Sequence, residues 1–295
     1  RGSNGNYGIP YSRFTYVVGP EKVGKTTLVT HIMAEIQRRE GVVVYIEGES
    51  AFDAKYAAKH GLDASRIIFS QPDTLEDACK YIQYSTAIVQ RNFQKDSSIQ
   101  IPIGIIVDSI SAFPTRHEVD TLEPMPGDHA RILSLMCRVL TKQISIKGIC
   151  FFFVLQRRRK IGVTKWQDPD TFIGGDALKF HASTGLKMSR VAFLKDGNKN
   201  KYGIRSRIQT YYNKCLPPAQ EAEVDIIWGK GFDKEQAMMD AMIMRDIIRK
   251  SGSWLIWKDQ LGREHRWQGV EKFRDLYEDV KVRSLMKKSL IGKVA

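Results

Sequence analysis

The segment Gly19-Pro20-Glu21-Lys22-Val23-Gly24-Lys25-Thr26 reads G-x-x-x-x-G-K-[ST], and its residue types suit the polyphosphate of a nucleoside triphosphate. Its glycines let backbone N–H groups curl around phosphate oxygens, and the N-terminus of a following helix adds positive potential. Lys25 would then reach the β and γ phosphates, and the Thr26 hydroxyl would bind Mg2+. A carboxylate fits the same metal. The apolar run Ile105-Ile106-Val107 ends in Asp108-Ser109, and an aspartate at the C-terminal end of such a strand holds Mg2+ through water. Tyr45-Ile46-Glu47-Gly48-Glu49 brings two more carboxylates to a strand end. Of these Glu49, farther beyond the strand, is the better placed to orient an attacking water. Gln156 closes another apolar run, where it could contact a γ-phosphate. Beyond it come Arg157-Arg158-Arg159-Lys160, then Ile161-Gly162-Val163, Lys165-Trp166 and Gly174-Gly175. A basic, glycine-containing loop suits a phosphate backbone, and an apolar tip such as Ile161 could wedge between bases of a single strand.

Such residues act together only if the fold delivers them to one edge. Phe14 to Val18 reads as a buried strand, followed by the glycine-rich turn and a helix from Lys25 to about Arg39. Val42 to Ile46, Ile103 to Val107 and Ile149 to Leu155 read as further buried strands, with helices around Leu75 to Asn92 and His129 to Ile144. Strands alternating with helices predict an α/β fold with a mostly parallel sheet covered on both faces, and ligands of such sheets gather at the strands' C-terminal ends. From about Val191 shorter runs, Arg205 to Tyr212 and Ala222 to Trp228, read as antiparallel additions to the sheet edge. Asp233 to Lys250 then carries Met238, Met239, Met242, Ile243 and Ile247 at helical spacing, a stripe that reads as core. Trp254 to Trp257 and the helix-like Val270 to Tyr277 complete a small C-terminal α/β module. The domain reading is 1–232 for the large core and 233–295 for the small one.

The 295-residue chain is long enough for a large domain with a smaller companion. Its hydrophobic content of 42% and charged content of 27% are ordinary for a globular protein, and no run reaches the roughly 20 apolar residues of a membrane helix. A net charge of +13 suggests a polyanionic partner, held by counterion release. Cys79, Cys137, Cys150 and Cys215 lie far apart without C-x-x-C spacing and read as reduced thiols of a cytosolic protein. The chain begins at Arg1 rather than Met, without a charged-then-apolar leader, and reads as a fragment.

Over roughly residues 8–277 the chain resembles RecA-type recombinases, the ATP-dependent filament proteins of homologous recombination. The resemblance rests on Gly19 through Thr27, Glu49 with Ala51 and Asp53, and Ser70-Gln71-Pro72-Asp73-Thr74. It continues through Val107-Asp108-Ser109, Lys160-Ile161-Gly162-Val163, and Gly174-Gly175 with Ala177-Leu178-Lys179-Phe180, all in collinear order. It implies a P-loop NTPase core of RecA type, ATP with Mg2+, and a filament on single-stranded DNA that pairs with duplex DNA, working in a bacterial cytoplasm or for a phage in its host. It implies that Glu49 activates the hydrolytic water, that Asp53 and Tyr56 hold the adenine, and that Gln156 senses the γ-phosphate and relays its state to the following loop. Two DNA-gripping loops map to about 115–130, with Met125 as base wedge, and 157–173. Arg131 and Arg138 would contact phosphates, with Arg157, Arg158, Lys160, Gly174 and Gly175 adding contacts. Phe180 would pack on the neighbouring subunit, and Lys214 would reach that neighbour's γ-phosphate. The small C-terminal module, with Trp254, Trp257 and Trp267, resembles a duplex-capturing domain.

The chain departs from the family in several places. Tyr212-Asn213-Lys214 stands where two lysines flank an asparagine, Asp176 stands where an asparagine is usual, and the family's N-terminal helix and strand are missing from the sequence. A divergent, N-terminally truncated member fits these features. The alternatives are a regulatory paralogue that binds ATP and DNA without strand exchange, and a hexameric helicase on the same core.

Overall fold

A computed structural model describes residues 8–93, 101–144, 149–159, 170–172, 177–215 and 219–292. The chain divides into two compact units, Arg1–Ala192 with Ser206–Ala222, and Phe193–Arg205 with Glu223–Ala295. The second unit thus includes two segments that precede residue 233.

In the first unit β1 (Arg13–Gly19) leads into α1 (Lys25–Arg38), β2 (Val42–Glu47), α2 (Ala54–Lys59), β3 (Ile67–Ser70), α3 (Leu75–Phe93) and β4 (Ile103–Asp108). Then come α4 (Arg116–Thr121), α5 (Asp128–Ile144), β5 (Ile149–Arg159), β6 (Asp170–Phe172), α6 (Ala177–His181) and β7 (Thr184–Lys195). Neighbouring strands run parallel in the order β7-β1-β5-β4-β2-β3, as the alternation of apolar strands and helices predicts.

Alternate side chains of each strand point to opposite faces, and both faces are apolar. Phe14, Tyr16, Val18, Phe151 and Phe153 join Ile82 of α3 and Leu133 and Leu140 of α5 in one core. Val17, Phe152 and Val154 join Val29 and Met33 of α1 in the other. Phe151, Phe152 and Phe153 are fully buried, each contributing about 2 kcal/mol of apolar burial, so the strand that carries Gln156 is firmly anchored. The register pairs Gly19 with Gln156, Glu47 with Asp108 and Val107 with Phe153, so Gly19 and Gln156 share one level and Glu47 and Asp108 share another, about two residues short of it.

Four local differences from the sequence expectation have identifiable causes. β5 runs beyond Leu155 to Arg159, because Arg157 to Arg159 pair antiparallel with β6. The segment 115–130, expected as a loop, contains α4, whose start is fixed by a reciprocal capping box between Thr115 and Glu118. The apolar stripe 238–247 does not continue one helix, since α7 (Lys234–Met244) stops where Asp246 takes a φ of 53°. The run near residue 205 belongs to a longer strand, β8 (Lys201–Asn213), and the run near 222 is β9 (Glu221–Ile227), begun one residue earlier, with β7 and β8 joined by a turn in which Asp196 and Asn200 are hydrogen-bonded.

The second unit holds the outer ends of β7 and β8 and most of β9, with β10 (Gly231–Phe232) antiparallel to β9. After α7 follow β11 (Ile248–Ser251), β12 (Trp254–Lys258), β13 (Glu264–Trp267), α8 (Gly269–Glu278) and α9 (Val280–Gly292). The antiparallel sheet β11-β12-β13 packs Trp257 and Trp267 into a core with Met242, Phe273 and Met286. Trp257 and Trp267 are therefore core residues, whereas Trp254, 43% exposed with Arg266 over its ring, lies at the surface. Among the described residues all four cysteines are free thiols, and no helix is long and apolar enough to cross a membrane.

Candidate functional site

The turn between β1 and α1 is shaped by its glycines. Gly24 sits at the N-cap of α1 with φ 94°, a conformation that favours a residue without Cβ. Gly19 lies so close to β7 that a Cβ would stand 2.5 Å from the Met188 carbonyl oxygen. Among the described residues no side chain caps α1, so its first N–H groups remain available to an anion. Lys25, 9% exposed, donates from Nζ to the Gly19 and Pro20 carbonyls at 3.0 and 2.7 Å. Burial lowers its pKa, and the charges of Asp108, Glu49 and Glu21 oppose that shift.

Asp108 is buried at the end of β4, where the Thr26 hydroxyl donates to it and the Tyr45 hydroxyl lies 3.4 Å away. Burial pushes its carboxyl up to about 6. The Thr26 bond, Lys25 and Tyr45 pull it down, while the charge of Glu49 adds to the rise. Thr26 and Asp108 therefore form a hydroxyl and carboxylate pair at the helix N-terminus, a donor set of hard oxygens suited to Mg2+.

The two carboxylates at the end of β2 diverge. Glu47 is buried, accepting the Ala51 and Phe52 N–H groups at 2.5 Å on Oε1 and the Gln71 amide at 3.0 Å on Oε2. Its bonds fold the following loop. Glu49 is exposed and accepts on Oε1 from Ser109 Oγ at 2.6 Å and Gln156 Nε2 at 2.8 Å. The structure thus brings together Gly19, Lys25, Thr26, Asp108, Glu49 and Gln156. It adds Ser109, which sequence reasoning quoted without a role; its position directly after a strand-end aspartate was the available signal.

Asp53 is the N-cap of α2, its Oδ1 accepting from the Lys55 and Tyr56 N–H groups at 2.8 and 3.0 Å. Tyr56 meets the phosphate-loop helix directly, its hydroxyl 3.1 Å from Thr27 Oγ1. His60, one turn on, lies edge-on to Tyr56 at 4.4 Å and 4.8 Å from His31 of α1. The expected adenine contacts are thereby tied to the helix that carries Lys25 and Thr26.

Away from this cluster, Met125 is 53% exposed, and Arg131 and Arg138 are both exposed on α5. Arg131 is held by the buried Asp128 carboxylate at 2.6 Å. Arg157 and Arg158 lie in the β5–β6 ribbon, while Lys160, Ile161, Gly174 and Gly175 lie outside the described residues. Phe180 is 75% exposed, and Lys214 donates to its carbonyl at 2.8 Å while standing 5.6 Å over the Tyr212 ring. His181, next to Phe180, has its pKa lowered by burial and by the charges of Lys214 and Arg138, which gathers three basic groups at the α5–α6 junction.

Comparison with known proteins gives a consistent result. The RecA N-terminal domain family matches residues 2–233. Protein RecA of Campylobacter hominis is 37% identical over 263 residues, covering 88% of this chain and 72% of the relative. Protein RecA of Nocardia farcinica is 37% identical over 291 residues, covering 97% of this chain and 79% of the relative. Protein RecA of Helicobacter pylori strain G27 is 34% identical over 278 residues, covering 92% and 77%.

Proposed function

The chain belongs to the RecA family of recombinases, and from that premise we propose how its own residues divide the work of a DNA-dependent ATPase. It is a recombinase that binds single-stranded DNA and promotes homologous pairing and strand exchange, with ATP hydrolysis as its chemical step. Neither a regulatory paralogue nor a hexameric helicase is favoured by relatives that are RecA proteins over most of their length.

The backbone from Gly19 to Gly24, with Lys25, Thr26 and Thr27, takes the phosphates, and Asp53 and Tyr56 take the adenine. Thr26 and Asp108 would hold Mg2+, which when bound supplies positive charge to the phosphate oxygens. Glu49 accepts a proton from the attacking water, and Ser109 and Gln156 fix the direction of its carboxylate. That doubly anchored carboxylate beside the phosphate loop is the observation that carries the reading. Gln156 has a second acceptor available once a γ-phosphate arrives, and turning toward it would release the end of β5, which carries Arg157 and Arg158. Phe180 and Lys214 face the next subunit of a helical filament, and a cytoplasmic setting suits such a protein.

Glu49→Gln tests the assignment. Its kcat should fall roughly 100-fold or more, while ATP-dependent binding to a fluorescent single-stranded oligonucleotide persists. Unchanged turnover removes Glu49 from the role.

A further inference from the structure

Glu49 has two anchors, and they lead in different directions. Gln156 leads to the basic end of β5. Ser109 leads into a turn closed by hydrogen bonds from Ala112 N–H to the Ser109 carbonyl and from Ile110 N–H to the Val154 carbonyl, both at 3.1 Å. At the end of this turn the buried Phe113 ring lies against Gly48, the residue between Glu47 and Glu49. A Cβ on Gly48 would stand 3.0 Å from two carbons of that ring and 2.8 Å from the Ser109 carbonyl oxygen. No slack remains, so a shift of the Glu49 backbone must be passed to Phe113.

Phe113 is in turn tied to α5. Its carbonyl oxygen is 2.7 Å from His129 Nε2. A carbonyl can only accept, so the imidazole carries its proton on Nε2. Nδ1 is buried and has no partner among the described residues. His129 stands in the first turn of α5, beside Asp128, which holds Arg131. The helix also carries Arg138.

We propose that His129 is a positioning residue that couples the ATP site to α5 through Phe113 and Gly48, a second route beside the one through Gln156. This inference rests on the recombinase reading above. A hydrogen-bonded and close-packed link between two sites must act in both directions: what DNA does to the ATP site, nucleotide does to the grip on DNA.

The test uses the whole protein and two ratios: ATP turnover with and without single-stranded DNA, and single-stranded DNA affinity with and without a non-hydrolysable ATP analogue. His129→Ala should lower both ratios, the affinity ratio by about fivefold to tenfold, while the turnover ratio is kinetic and need not fall by the same factor. His129→Gln, whose amide can donate to the Phe113 carbonyl, should restore them. If the alanine variant does not fold, His129→Leu against His129→Gln makes the same comparison. A DNA affinity that falls equally with and without the analogue overturns the inference, since His129 would then simply touch DNA. So does a glutamine variant that behaves like alanine. A wild-type rate that DNA does not raise overturns the recombinase reading and this inference with it. Wild-type stimulation with unchanged ratios in the variants overturns the inference alone.

Discussion

Glu47 and Glu49 stand two residues apart on one strand end, and their partners give them different work. Glu47 satisfies two backbone N–H groups and the Gln71 amide in a buried position. Removing it as Glu47→Ala leaves those donors unpaired and should cost about 2–3 kcal/mol of stability, read from the urea midpoint. Glu49→Gln should stay within about 0.5 kcal/mol of the parent, because an exposed carboxylate is exchanged for an amide. The sequence allowed the preference for Glu49, since of the two carboxylates it stands farther beyond the strand end. It could not show what Glu47 does, because the N–H groups it accepts come from a loop whose path depends on that same carboxylate. The phosphate loop was legible for the opposite reason: its chemistry is backbone chemistry, and glycine spacing writes it directly into the chain. The pairing of His129 with Phe113 joins residues sixteen positions apart, and no local pattern announces it.

Whole elements were most legible where apolar periodicity ran uninterrupted, as in α1, α3 and the four central strands. The capping box T-x-x-E at Thr115 to Glu118 was a readable start signal for α4, hidden by the expectation that a DNA-gripping loop is irregular. The end of α7 carried no such signal, since Asp246 rather than glycine takes the left-handed conformation there. The hairpin between β12 and β13 depends on Asp259, whose buried carboxylate accepts the Leu261 and Arg263 N–H groups, each at 2.9 Å, and pairs with Arg263 and His265. Burial raises its pKa, but the Arg263 N–H, His265 and the Leu261 N–H outweigh that and hold it below the ordinary aspartate value. A pKa lower in the folded than in the unfolded chain adds stability above about pH 4, and this stability is lost as pH falls through the folded value. The unfolding midpoint, followed by tryptophan fluorescence, should therefore drop below pH 4. Asp259→Asn should be less stable at pH 7 and show a shallower acid loss. Equal slopes for the two proteins would remove Asp259 from this part.

For the whole molecule, the net charge of +13 makes DNA affinity fall with salt, but it names no subunit contact. Lys214 and the exposed Phe180, joined through one hydrogen bond, mark the surface where neighbour contacts are proposed. Tyr212 occupies the position at which the resemblance implies a second lysine. Tyr212→Lys should raise DNA-stimulated turnover by about tenfold, with a steeper dependence on protein concentration, if a neighbour's phosphates lie there. An unchanged rate at every concentration argues against that contact. The register that sets Gly19 beside Gln156 and Glu47 beside Asp108 has a further consequence, for how such a chain can change over generations. One residue gained inside β1, β5, β4 or β2 moves its terminal residue by about 3.3 Å and turns every side chain beyond the insertion to the opposite face. One gained where the chain enters β2, around Glu40, leaves the far edge untouched. Length variation among descendants should therefore collect at one end of this sheet and be purged from the other, so that the molecule ages unevenly, free to drift on the side away from its chemistry.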